Sequence, residues 1–168
     1  MPVNGIIYRV LNSECISPEN IYQLEGKSGI KINNIHKLLL LDTGNTQLVL
    51  ESILNVKNYV RVLKQNESRN LIVRRSVILS VYDEPLVLTR SILYTKMLPS
   101  LIIQEIRRCE IGLGKIAQTH GIVTSKKVIE IGCMNRVIYK KYLFLFGENK
   151  VGNIKETFVL NLEKFESN

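Results

Sequence analysis

LIVRRSVILSVY (Leu71 to Tyr82), the turn Asp83-Glu84-Pro85, and LVLTRSILY (Leu86 to Tyr94) form the stretch that decides the fold. Both runs alternate, and a strand sends successive side chains to opposite faces, so the pattern predicts two antiparallel strands joined by a hairpin. Val73, Val77, Leu79 and Val81 share one parity, and Arg75 stands in their row. In the second run Arg90 stands among Leu86, Leu88 and Ile92. Near the C-terminus Glu156 falls in the row of Ile154, Phe158, Leu160 and Leu162. Each of these three charges is therefore expected to point inward, onto one face of the sheet. An unpaired buried charge costs several kcal/mol, so such groups persist only with partners. Two arginines against one glutamate leave a positive excess, for which the simplest partner is an anionic ligand in a pocket walled by the sheet. A purely structural reading stays open at this point. Arg75 pairs with Glu156 in it, and Arg90 runs along the surface on its stem.

Outward from the hairpin, the remaining elements follow. Ser17-Pro18-Glu19 reads as an N-cap, a first-turn proline and an acidic first turn, giving a short helix to about Leu24. Asn33 or Asn34 caps a second helix through Leu41, ended near Gly44. From Thr46 the period becomes two, and strands are expected at Leu48 to Leu54 and Tyr59 to Lys64. Leu98 to Arg108 reads as a helix with Leu98, Leu101, Ile102 and Ile106 on one stripe, followed by a short helix at Lys115 to His120. Ile122 to Met134, Val137 to Phe146 and Asn153 to Leu162 read as strands, with a turn at Gly147-Glu148-Asn149. Long antiparallel strands with helices gathered in a few places predict an α+β fold in one domain spanning residues 1–168.

Composition narrows the function. Hydrophobic content of 45% and charged content of 23% over 168 residues suit a globular domain with a real core. Met1 to Tyr22 has no continuous apolar segment of the signal-peptide kind, and apolar runs such as Leu38 to Leu41 are far too short to cross a bilayer. A cytoplasmic protein without a membrane partner is expected. Cys15, Cys109 and Cys133 are odd in number and lack CxxC spacing, which speaks for a reducing compartment and against a zinc site. His36 and His120 stand alone, as surface or capping histidines, so no metal is expected. The net charge of +8 is spread along the chain in pairs such as Arg74-Arg75 and Lys140-Lys141, with no run of five cations. That pattern gives no nucleic-acid signature, and collection of small anions explains it.

Gly112-Leu113-Gly114 is too short for a dinucleotide fingerprint, and it follows a helix rather than a strand. Its glycines either make a plain turn or let backbone N–H groups approach a carboxylate. No nucleophile elbow, HExxH or P-loop occurs, so chemistry here rests on binding, electrostatics and one carboxylate.

Several short motifs, in order, resemble those of the chorismate lyase (chorismate–pyruvate lyase) family. They are LLDTGNT (Leu40 to Thr46), Arg75 ten residues before Pro85, Glu84-Pro85 leading to Arg90, Leu113-Gly114, IEIG (Ile129 to Gly132) and KETF (Lys155 to Phe158). The resemblance runs from about Leu38 to Leu162. It implies an antiparallel sheet with helical flaps over a buried pocket. It also implies cofactor-free conversion of chorismate to 4-hydroxybenzoate and pyruvate. By position, Arg75 and the backbone of Leu113 would bind the ring carboxylate, and Arg90 would support the enolpyruvyl side. Glu156 would address the ring hydroxyl, and the segment at Asn45, with Gly114, would complete the site. The chain departs from the family pattern at Asn45, where a larger apolar residue is usual, and at Lys115-Ile116, where an arginine and an aromatic are common. The ligand-sensing UTRA domains share this type of fold, so a non-catalytic module for a small anion is the alternative.

Overall fold

A computed structural model describes residues 6–9, 16–69, 71–135 and 137–159. Among the described residues seven strands make one antiparallel sheet: β1 (Ile6–Arg9), β2 (Tyr59–Ser68), β3 (Ile72–Val81), β4 (Glu84–Tyr94), β5 (Thr124–Met134), β6 (Val137–Phe146) and β7 (Asn149–Phe158), in the order β1-β5-β6-β7-β4-β3-β2. Two three-stranded meanders, β2-β3-β4 and β5-β6-β7, meet where β4 pairs with β7. The class is the expected α+β.

Five α-helices among the described residues, α1 (Pro18–Ser28), α2 (Asn34–Leu41), α3 (Thr46–Leu54), α4 (Ser100–Arg108) and α5 (Leu113–Thr119), supply one side of the core. Ile21, Leu24, Leu39, Leu40, Leu50 and Ile106 pack with inward residues of the sheet. The start of α1 follows its signals: Pro18 opens it, and the Ser17 N–H donates to Asn20 Oδ1 at 2.8 Å. It continues past Leu24 to Gly29, which takes the left-handed conformation. Asn33 caps α2 by accepting from the His36 N–H.

Three expectations are corrected. The segment Leu48 to Leu54 is helix, not strand. Asn45 caps it by accepting from the Gln47 N–H, and Thr46 and Leu50 bury one face at helical spacing, which outweighs the brief alternation at Leu48 and Leu50. Leu101, expected on the buried stripe of α4, is exposed. The hairpin turn is Tyr82-Asp83 rather than Asp83-Glu84-Pro85; both residues have positive φ (46° and 65°), as a two-residue hairpin demands. The reading of Leu160 and Leu162 as strand residues, and Cys15, lie outside the described residues.

The consequential irregularity lies just after that turn. Val81 opposes Glu84 and Ser80 opposes Pro85, but Leu79 opposes Val87. Leu86 is the extra residue of a β-bulge, and Leu86 and Val87 are both buried. A one-residue insertion inverts every later side chain of the strand. Thr89 and Ser91 therefore take the inward row, with Ser91 opposite Arg75, and Arg90 turns outward.

The join between the meanders is tight at Gly152, opposite Leu93. A Cβ there would lie 2.7 Å from the Ile92 carbonyl oxygen and 2.8 Å from Leu93 Cδ2. Gly152→Ala should lower the urea midpoint by an amount equivalent to about 1–3 kcal/mol, with an unchanged m-value. An unaltered midpoint would mean that β4 and β7 do not approach this closely.

Candidate functional site

Between the inward face of the sheet and the helical segments lies a cavity. Its charged lining comes from Arg75 on β3, Lys126 on β5 and Glu156 on β7. The turn 44–47 and the segment 112–114 wall the helical side. Of the residues anticipated from sequence, Arg75, Glu156, Leu113, Gly114 and Asn45 all reach it. Arg90 does not: the Leu86 bulge puts it on the opposite, exposed face.

Arg75 is 2% exposed. One Nη donates to the Ile111 carbonyl at 2.7 Å, and Nε and the other Nη have no partner among the described residues. Burial holds its pKa below the ordinary guanidinium value, yet the group stays a cation at neutral pH. It does not pair with Glu156, which overturns the structural reading of those two charges.

Glu156 is instead held by residues that strand parity did not single out. The Tyr142 hydroxyl donates to its Oε1 at 2.8 Å, and the Thr46 hydroxyl lies 3.0 Å from the same oxygen. Lys126 Nζ lies 3.7 Å from Oε1 and Lys140 Nζ 3.5 Å from Oε2. Both lysines also reach the turn after α2. Lys126 donates to Asp42 Oδ2 at 2.9 Å and to Thr46 Oγ1 at 2.6 Å, while Lys140 donates to the carbonyls of Leu39 and Asp42. Burial alone would raise the Glu156 and Asp42 carboxyl groups. The ammonium groups of Lys126 and Lys140 outweigh it and hold both below the usual carboxylate range. Burial and the adjacent Glu156 push the Tyr142 phenol well above its ordinary value, so it remains a donor.

Sequence carried a signal for one of these lysines. Lys140 shares parity with Ile138, Tyr142 and Phe144, the same criterion that singled out Arg75. Lys126 was hidden by a second bulge, between Val128 and Glu130, which breaks the parity of β5. Asp42 and Thr46 lie on a turn and at a helix start, where no period applies.

Asn45 and Gly114 explain each other. A Cβ on Gly114 would lie 3.1 Å from the Asn45 side-chain amide, so the missing side chain at the start of α5 is filled by the cap of α3. His36 is buried rather than superficial, its Nδ1 2.6 Å from the Asn33 Oδ1 and its ring edge-on to Phe158. Among the described residues no group of three or more His, Cys, Asp or Glu side chains could hold a metal ion. No described helix is long and apolar enough to cross a membrane. Compared with family models and with curated proteins, the chain matches none.

Two stability predictions arise here. Arg75 leaves donors unpaired, so Arg75→Met should keep or raise the urea midpoint, whereas Lys140→Met strips partners from two buried carboxylates and should cost about 3–5 kcal/mol. A large loss for Arg75→Met would mean that its guanidinium is fully paired. Because Glu156 and Asp42 have depressed folded pKa values, their stabilisation is present above the unfolded value near 4 and is lost as pH falls through the folded values. The urea midpoint should therefore drop between about pH 5 and pH 2, and less steeply in Glu156→Gln. Parallel profiles for the two proteins would contradict the depressed Glu156.

Proposed function

We propose that the chain is a chorismate lyase, eliminating pyruvate from chorismate without a cofactor and leaving 4-hydroxybenzoate. One observation carries the reading: a buried arginine with two unpartnered nitrogens shares a cavity with an ionised glutamate. The ordered motifs of Arg75, Leu113-Gly114 and Glu156 support it.

In the proposed reaction the ether bond at ring carbon 3 breaks and the hydrogen at carbon 4 passes to the methylene of the enolpyruvyl group. The ring becomes aromatic and the side chain leaves as pyruvate, so atoms and electrons balance without an external oxidant. The free edge of Arg75 forks onto the ring carboxylate. Glu156, kept ionised by Lys126 and Lys140, accepts from the ring hydroxyl. Lys126, not Arg90, is the cation that faces the charge developing on the departing enolpyruvate. A preorganised ammonium needs no reorganisation as that charge appears.

The turn 42–47 acts as a flap in this proposal. The cavity is ≈ 100 Å³, below the roughly 150 Å³ that admits a benzene ring. A ring carrying a carboxylate and an enolpyruvyl ether needs more room than that, and the turn is held to the sheet chiefly by polar contacts to Lys126 and Lys140.

The test is pyruvate release from chorismate with a chelator present, read through lactate dehydrogenase, with 4-hydroxybenzoate measured separately. No pyruvate above the uncatalysed rate would sink the enzyme reading; saturable binding of 4-hydroxybenzoate without turnover would favour a ligand-sensing module. Arg75→Ala should lower kcat/KM by about 30-fold or more. Arg74→Ala and Arg90→Ala, on the far face, should each stay within about threefold. Arg75→Lys should rescue poorly, since a point charge does not reproduce the planar fork.

A further inference from the structure

The outward face of the sheet carries a second group of cations that the elimination does not use. Cross-strand pairing sets Lys64, Ser76, Arg90, Lys155 and Lys141 side by side across β2, β3, β4, β7 and β6. Arg74 lies in the adjoining row, opposite Ile92. Neighbouring strands are ~4.8 Å apart, so Arg90, Lys155 and Lys141 succeed one another at about that spacing. Like charges directly opposite are destabilising. Here two such pairs are consecutive.

Little relieves them. Among the described residues the groove has one carboxylate at its margin, Glu130, which is already held by Lys141 at 2.7 Å and by the Tyr139 hydroxyl at 2.9 Å. Lys64, Arg74, Arg90 and Lys155 have no carboxylate within ion-pair distance among the described residues. Burial first, and then the neighbouring Lys141 and Arg90, lower the Lys155 pKa against the opposing pull of Glu130. The arrangement is also fixed in place. Tyr139 is 4% exposed and lodged where a side chain at Gly132 would stand, with the Lys155 ammonium 3.9 Å and the Lys141 ammonium 5.7 Å from its ring centre.

We propose that this groove binds the phosphate chain of a small oligophosphate, a compact anion with three or four negative charges. Its size speaks for a small molecule: the depression is ≈ 520 Å³, within the roughly 300–1,000 Å³ of small-ligand sites. Its charge exceeds what a dicarboxylate neutralises, and the two arginines present forks suited to phosphate oxygens. A single nucleic-acid strand fits less well, because base stacking needs an open ring face and Lys155 covers that of Tyr139. The site is separated from the inner cavity by the sheet, and the proposal does not depend on the lyase reading.

The experiment is calorimetric titration of the full chain at constant ionic strength without divalent metal, using inorganic triphosphate, ATP, orthophosphate and sulfate. Saturable triphosphate binding, at least about tenfold tighter than orthophosphate and weakened about tenfold or more by Arg74→Gln/Arg90→Gln, is expected. ATP binding tighter than triphosphate would assign the chain to a nucleotide, and equal binding to the inorganic anion. The unliganded double variant should melt at or above the parent temperature, since it loses repulsion and no partner. Three results would each overturn the proposal: triphosphate binding no stronger than sulfate, binding unchanged in the double variant, or a lower melting temperature for that variant. A single-stranded oligonucleotide bound more tightly than triphosphate would overturn it as well, in favour of nucleic acid.

Discussion

Everything at the inner site hangs on the carboxylate of Glu156 and the two ammonium groups beside it. Glu156 stands on β7, Lys140 on β6 and Lys126 on β5, so a single buried carboxylate ties three successive strands together. The same lysines reach Asp42, and through it the turn joining α2 to α3. Unit charges 3.5 Å apart attract by about 5 kcal/mol at an effective dielectric of 20, and desolvation consumes much of that. What the network supplies is therefore position more than net stability. With either lysine removed, a carboxylate is left buried with fewer partners, so the turn, the strand face and the ionisation of Glu156 stand or fall together.

Strand parity made the hairpin and the inward placement of Arg75 and Glu156 legible, because β3 and β7 keep their period through those residues. It failed at Arg90 for a local reason. Leu86 inserts one residue beside the turn, and an inserted residue leaves composition and hydrophobicity almost untouched while exchanging the two faces. The same event in β5 concealed Lys126. Lys140 was legible by the rule that found Arg75. Asp42 and Thr46 were not, since their positions depend on where a turn meets a sheet strands away in sequence. The misread helix at Thr46 to Leu54 has the opposite lesson: the Asn45 cap was in plain view, and two alternating leucines are too few to define a strand.

The exchange of faces at Leu86 also divides the positive charge into two populations with different physics. Inward, three cations (Arg75, Lys126 and Lys140) face two carboxylates (Asp42 and Glu156), and the surplus resides on Arg75, the one with unpartnered donors. Outward, Arg90 joins Lys155 and Lys141 in one row, with Arg74 in the next, and little compensation. Had β4 kept its period, Arg90 would have stood beside Arg75 inside, two buried guanidinium groups against a glutamate already held by lysines. The bulge removes that conflict while keeping Leu86 and Val87 both in the core.

Arg74 and Arg75 show how far a one-residue step separates chemical roles. They share a side chain and a peptide bond, yet one is exposed among cations and the other is buried with a single carbonyl partner. The buried group has lost hydration, so the field it exerts in the cavity is local and largely unscreened. The exposed group keeps its water and acts only with its neighbours, through a field that salt weakens. Net charge cannot distinguish the two, and residue type cannot either. Only their place in the period of β3 does: Arg75 shares the parity of the buried Val73 and Leu79 and faces the inner cavity, while Arg74 falls on the other face and lines the outer groove.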